Sequence, residues 1–288
     1  MTVLRPLAAA LVVAVISAGT ALAQQPAAPA AKKQGRLERI AATNQFVIGF
    51  RESAVPFAFL DDEQHAAGYG VQIAEAIAAA VKQRLGRADL VVRYNAVTPV
   101  TLLPLVTNGV VDIECGSTTH TRARLEQVAF SNTIFVSSTR LGVPASAAVS
   151  ELGDLKGRRV TVAANTTTEA TLRALDAGRA LDLKLVPARN NLRAFQTLER
   201  GDADAFAAAE ALLAGEFVRA NRTGAFRVVG TPLAREAFAC VLPKDEPELK
   251  QIADATIARL MASGELARIY DRWFMQPLGR DRPALGLP

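Results

Sequence analysis

The chain has 288 residues, half of them hydrophobic, and a formal net charge of +5. That is enough apolar material for one or two sizeable cores. Lys and Arg are scattered rather than gathered into a stripe, which argues against a nucleic-acid partner, while a weakly basic surface suits the attraction of small anions.

The chain opens with Arg5, an apolar run at Leu7–Ala18 and the small-x-small triplet Ala21-Leu22-Ala23. Residues 1–23 read as a cleaved secretory signal peptide, and the run is short for a membrane span. The Ala/Pro/Lys-rich stretch that follows makes residues 24–37 an expected disordered leader. Strand-like and helix-like segments then alternate. Gln45–Gly49 reads as a strand, Val71–Leu85 as an amphipathic helix closed by Gly86, and Leu90–Tyr94 as a strand. Thr98-Pro99 opens a helix that Gly109 ends, and Val110–Cys115 is the next strand. The pattern restarts at the strand Arg159–Ala163, followed by a helix behind the capping sequence Thr166-Thr167-Thr168-Glu169. Strands at Leu183–Pro187, Ala203–Ala208 and Phe226–Val229 alternate with helices at Asn191–Arg200 and Glu210–Asn221. A strand at Ala237–Leu242 and helices at Glu246–Ser263 and Glu265–Phe274 close the chain.

Alternation of this kind specifies α/β layering with a mostly parallel sheet. Folding the last elements back onto the first unit gives two lobes, 38–139 with 236–288 and 140–235, joined by two crossing segments near Ser138–Val143 and Pro232–Phe238. A double crossing is a hinge, and a ligand belongs in the cleft beside it.

The residues of that cleft point to a carboxylate guest. Asp112–Phe135 reads as a buried strand, a turn of small hydroxyl residues and a short helix carrying Arg124. Ser117 and Thr119 offer N–H and O–H donors there, and Arg124 a bidentate guanidinium. Arg51 follows the first strand at the ligand-facing edge of an open sheet, beside the apolar wall Pro56-Phe57-Ala58-Phe59. Thr166 and Thr167 open a helix in the second lobe, where free N–H groups face an anion. Helix capping alone would also explain Thr119 and Thr166. His65 and His120 lack metal-ligand spacing, so neither a metal nor another cofactor is expected. His65 reads as a solvated loop residue and Trp273 as packing for the last helix. Cys115 and Cys240 are the two cysteines. An exported setting favours a disulfide between them, and two buried thiols are the alternative.

Six segments together resemble the periplasmic substrate-binding proteins of polar amino acid ABC transporters, and within them the glutamate/aspartate type. They are Val47–Phe59, Gly68-Tyr69, Glu114–Thr119, Ala129–Thr139, Ala211–Gly215 and Ser263–Phe274. The resemblance implies the two-lobed type II periplasmic binding protein fold, a monomer in the periplasm, an acidic amino acid as ligand and a membrane permease as partner. It implies that Arg51 reaches the ligand's side-chain carboxylate, that Ser117, Thr119 and Arg124 clamp the α-carboxylate, and that Thr166 and Thr167 touch it from across the cleft.

The sequence departs from that pattern at four places. A glycine before the threonines is replaced by Asn165, a second pocket arginine by Leu102, a histidine by Asn191, and the aspartate that pairs with the ligand's ammonium by Ala209. An ammonium buried without a counter-charge is costly, so either Glu210 turns inward or the ligand lacks an amine, as an organic dicarboxylate does. Two other readings keep the fold. One hands the bound form to a chemoreceptor or sensor kinase. The other is an enzyme similar to cyclohexadienyl dehydratases, for which Glu52, His120 and Glu210 are the candidate acids and bases.

Overall fold

Short apolar runs rich in valine and alanine, separated by helices several of which stop at glycine or asparagine, place the elements in close sequence. A computed structural model describes residues 35–275. The expected signal peptide and most of the leader, residues 1–34, lie outside the described residues. In chain order the elements are α1 (Arg36–Thr43), β1 (Gln45–Phe50), β2 (Ser53–Ala54), β3 (Ala58–Leu60), β4 (Ala66–Ala67), α2 (Tyr69–Leu85), β5 (Val91–Ala96), α3 (Leu102–Thr107), β6 (Ile113–Glu114) and α4 (Arg122–Leu125). There follow β7 (Val128–Pro144), β8 (Arg159–Ala163), α5 (Thr167–Arg179), β9 (Lys184–Ala188), α6 (Asn191–Glu199), β10 (Ala205–Ala209), α7 (Glu210–Arg219), β11 (Phe226–Pro243), α8 (Pro247–Ala262) and α9 (Glu265–Tyr270).

Eight strands form one sheet in the order β5-β1-β6-β11-β7-β10-β8-β9. The pairs on each flank, β5-β1-β6 and β10-β8-β9, are parallel, as the alternation with helices requires. β7 and β11 are antiparallel to each other and occupy the middle. Each is long, 17 and 18 residues, and runs through both halves of the sheet. The protein thus has the two-lobed type II fold, with these two strands as the joining segments.

Three expectations are corrected here. The leader does not extend to residue 37: Arg36 and Leu37 are helical and buried, because Arg36 and Arg39 both pair with Asp112, whose other oxygen accepts from Val47 N–H at 2.8 Å. The strands expected at Phe226–Val229 and Ala237–Leu242 are one strand. Its middle is carried by backbone pairing to β7 with a register shift between Val229 and Ala234, next to Gly230 at φ +85°. The helix expected from Thr98 is regular only over Leu102–Thr107, behind a turn in which Thr98 and Thr101 exchange N–H to hydroxyl bonds of 2.9 and 3.2 Å.

The first half is filled by Phe46, Ile48, Ile73 and Ile77 and by an aromatic cluster of Phe57, Tyr69, Phe135, Phe238 and Phe274. The second has Leu141, Val160, Val162 and Leu172. A disulfide joins Cys115, just past β6, to Cys240 on β11. Among the described residues no helix is long and apolar enough to cross a membrane.

Candidate ligand-binding cleft

The parallel strands on both flanks of the middle pair deliver their carboxyl ends to the same place, as open α/β sheets do. Arg51 follows β1, Ser117 and Thr119 follow β6, Thr166 and Thr167 follow β8, and Asn191 follows β9. These six residues line two adjoining pockets between the halves, with about 530 and 310 Å³ of open space, and Arg51, Ala163 and Asn191 belong to both.

Arg51 is 8 % exposed and donates from Nη1 to Ser117 Oγ at 3.4 Å and from Nη2 to Thr118 Oγ1 at 3.0 Å. Thr118 Oγ1 in turn donates to Glu114 Oε2 at 2.8 Å, so a hydroxyl relays between a buried cation and a buried anion. Burial lowers the Arg51 pKa from its ordinary value, opposed by the fields of Glu114 and Glu236. Burial likewise pushes the Glu114 carboxyl up against the pull of Arg51. Arg51 Nε and Glu114 Oε1 have no hydrogen-bond partner among the described residues, leaving unused capacity on the guanidinium fork.

The second half contributes a helix tip. Thr166 caps α5 by accepting from Glu169 N–H at 3.2 Å and donates to the Ala163 carbonyl at 2.7 Å, so its hydroxyl is engaged within its own loop. Thr167 Oγ1 reaches Thr119 Oγ1 at 3.1 Å, and through it the two halves touch across the cleft. Asn165 stands at φ +58°, where asparagine is tolerated better than most side chains. An asparagine can therefore stand at this position, and its N–H donates to Glu169 Oε2 at 2.7 Å.

Arg124 and Glu210 are placed differently from the rest. Arg124 lies behind Thr119, donating to its carbonyl at 2.7 Å, and lines neither of the two pockets. Glu210 opens α7, sits 3.8 Å from Arg140 and lines a separate cavity beside Phe217 and Phe226. Leu102 is buried in an apolar cluster with Val97 and Val106, and Ala209 is buried at the end of β10. His120 is exposed and stacks on Phe130 at 4.7 Å, while Glu52 lines the outer pocket. His65 is exposed in a loop, and Trp273 donates to Gln72 at 2.9 Å and packs on Phe59.

Two charged residues of the cleft escape a reading of the sequence. Glu236, on the middle of β11, is 4 % exposed and accepts from Thr167 Oγ1 at 2.5 Å. Arg189, just past β9, lines the outer pocket opposite Arg51 and makes no hydrogen bond or ion pair among the described residues. The one available signal for Glu236 is a carboxylate inside the crossing segment Pro232–Phe238.

A cleft of this shape, with a buried arginine and hydroxyl-bearing turns on both walls, defines a class: a two-lobed receptor for a small polar solute. The family model for bacterial extracellular solute-binding proteins, family 3, matches residues 46–276, and the chain belongs to that family. It is 40 % identical over 275 residues to the glutamate/aspartate import solute-binding protein of Salmonella typhimurium, covering 96 % of this chain and 90 % of that one. It is 39 % identical over 245 residues to the L-glutamate/L-aspartate-binding protein of Pseudomonas aeruginosa, covering 85 % and 81 %. Both relatives are binding proteins rather than enzymes. The fold is shared with the cysteine-binding protein of Campylobacter jejuni at a TM-score of 0.75 and 23 % identity, over 87 % of this chain and 97 % of that one.

Proposed function

We propose that this chain captures an acidic amino acid, glutamate- or aspartate-like, between its lobes outside the cytoplasmic membrane and delivers it as a monomer to the permease of an ABC transporter. The signal peptide 1–23 exports it, and the described lobes are 36–139 with 236–275 and 140–235. The observation that carries the reading is the buried Arg51 fork at the junction of the two pockets, backed by Ser117 and Thr118 and faced by the α5 tip. The names of the two relatives at about 40 % identity support the ligand class. Ser117, Thr119, Thr167 and Asn191 complete the walls around the ligand. Arg124 acts through Thr119, whose carbonyl it holds in place.

The test is a thermal-shift screen. L-glutamate or L-aspartate at a hundredfold excess over its dissociation constant adds about 2.7 kcal/mol of stability. One observation favours a second reading, a dicarboxylate without an amine: β10 ends in a buried Ala209 where an ammonium would need a carboxylate. If both amino acids leave the melting temperature unchanged while succinate or 2-oxoglutarate raises it, the amino acid reading is lost and the second stands.

A further inference from the structure

The ammonium of an amino acid needs an anionic receiver once the cleft excludes water. β10 offers none: its residues Ala205–Ala209 carry no charge, and Glu210 is turned toward Arg140. Among the residues lining the inner pocket there is one carboxylate, Glu236. Its neighbours include Ser117, Thr119 and Thr167, the same hydroxyls that face a ligand carboxylate.

The strand register explains how a residue on β11 serves that place. Ala209 pairs with Thr139, Thr139 also pairs with Ala234, and Glu236 pairs with Ser137. Paired residues share a face of a sheet, and so do alternate residues of one strand. Ala209, Thr139, Ser137 and Glu236 therefore lie on one face, and the longer glutamate side chain rises from two strands away. Glu236 is nine-tenths buried and forms no ion pair within the protein among the described residues. Its polar neighbours are hydroxyls: Thr167, which donates at 2.5 Å and also touches Thr119, and Thr139 on the adjoining strand. Burial pushes its carboxyl above the usual carboxylate range, and neither the Thr167 and Thr139 hydroxyls nor the fields of Arg124 and Arg51 offset it.

We propose that Glu236 receives the α-ammonium of the ligand, from the joining strand β11 instead of from the end of β10. This rests on the amino acid reading given above. Carboxylate and amine are then both received on the first lobe and its joining strand, the carboxylate against Ser117 and Thr119 and the ammonium against Glu236, while Thr167 of the second lobe touches both regions when the cleft is closed.

Isothermal titration of the purified protein with L-glutamate, L-aspartate, 2-oxoglutarate and succinate tests this. Wild-type protein is expected to bind an amino acid, and Glu236→Gln to weaken that binding by about tenfold or more while leaving the amine-free acids bound as well as before or better. An amino acid affinity within twofold of wild type in Glu236→Gln overturns the role of Glu236 and leaves the amino acid reading intact. Equal weakening toward acids with and without the amine overturns it too. Wild-type protein that binds only amine-free acids overturns both. A readout that needs no folded variant is the 13C shift of the Glu236 carboxyl in wild-type protein. Followed across pH, its titration midpoint is expected to fall on addition of the amino acid, and an unmoved midpoint counts against the proposal.

Discussion

Arg51 is anchored on one side and open on the other. Ser117 and Thr118 take two of its donors, and Nε is left without a partner. A guanidinium fixed this way has little rotamer freedom left to lose when a carboxylate arrives. Arg51→Lys keeps the charge beside Glu114 but loses the fork. Calorimetric affinity for the acidic ligand is expected to fall roughly 30- to 300-fold, about 2–3.5 kcal/mol, with the melting temperature little changed; an affinity near wild type makes Arg51 structural only. Glu216 presents the opposite case, a buried carboxylate away from the cleft. It is 1 % exposed, pairs with Arg219 at 2.9 Å, and burial pushes its carboxyl up from 4.5 to about 7. The folded protein thus keeps a proton that the unfolded chain releases, so the contribution of Glu216 is full below about pH 4.5 and is lost as pH rises through about 7. Glu216→Gln is expected to be near neutral at pH 4.5 and to stabilise by roughly 2–3 kcal/mol at pH 8. Calorimetric melts at the two pH values check this, and a difference that does not grow with pH contradicts it.

At the level of elements, α7 presses on the opposite half. A Cβ placed on Gly215 would lie 2.2 Å from the carbonyl oxygen of Val55 in the turn after β2, so only glycine admits this approach. Gly215→Ala is expected to hold the halves apart. Ligand affinity should fall at least tenfold, and small-angle scattering with saturating ligand should show a larger radius of gyration than wild type; an unchanged affinity would mean the contact yields at no cost. The helix termini here were legible in advance, because capping chemistry is local: Thr166 caps α5 as its hydroxyl and Glu169 suggest, and Gly86 closes α2 in the left-handed conformation. The long strands β7 and β11 were not. Their centres, around Ser137-Ser138-Thr139 and Ala234-Arg235-Glu236, lack a hydrophobic run that marks a strand and are held by pairing to each other, which is long-range information. For the same reason Arg51, Ser117, Thr119, Thr167 and Asn191 were readable as cleft residues, lying at strand ends, whereas Glu236 in mid-strand was not.

For the molecule as a whole, the disulfide ties the first half to the middle of the sheet. Cys115 and Cys240 are buried and 125 residues apart in the chain. Closing a loop of that length contributes about 5 kcal/mol on the chain-entropy model, so replacing both cysteines with alanine is expected to lower the melting temperature by roughly 10–20 °C in a calorimetric scan. A fall of less than about 3 °C would show that packing alone sets the stability of this half.

Four ionisable groups stand together at the back of the cleft, and when all four are ionised their charges balance: the guanidinium groups of Arg51 and Arg124 against the carboxylates of Glu114 and Glu236. In a dry enclosure any surplus is expensive. A zwitterionic backbone brings none, and can be swallowed whole. The extra negative charge of an acidic side chain is tolerable only at the wet rim, where Arg189 waits unengaged. If the acidic side chain is met at that rim, which dissolved ions can reach, raising the salt concentration is expected to erode the preference for acidic over neutral amino acids more than the affinity for neutral ones, and calorimetric titrations at low and high salt check this.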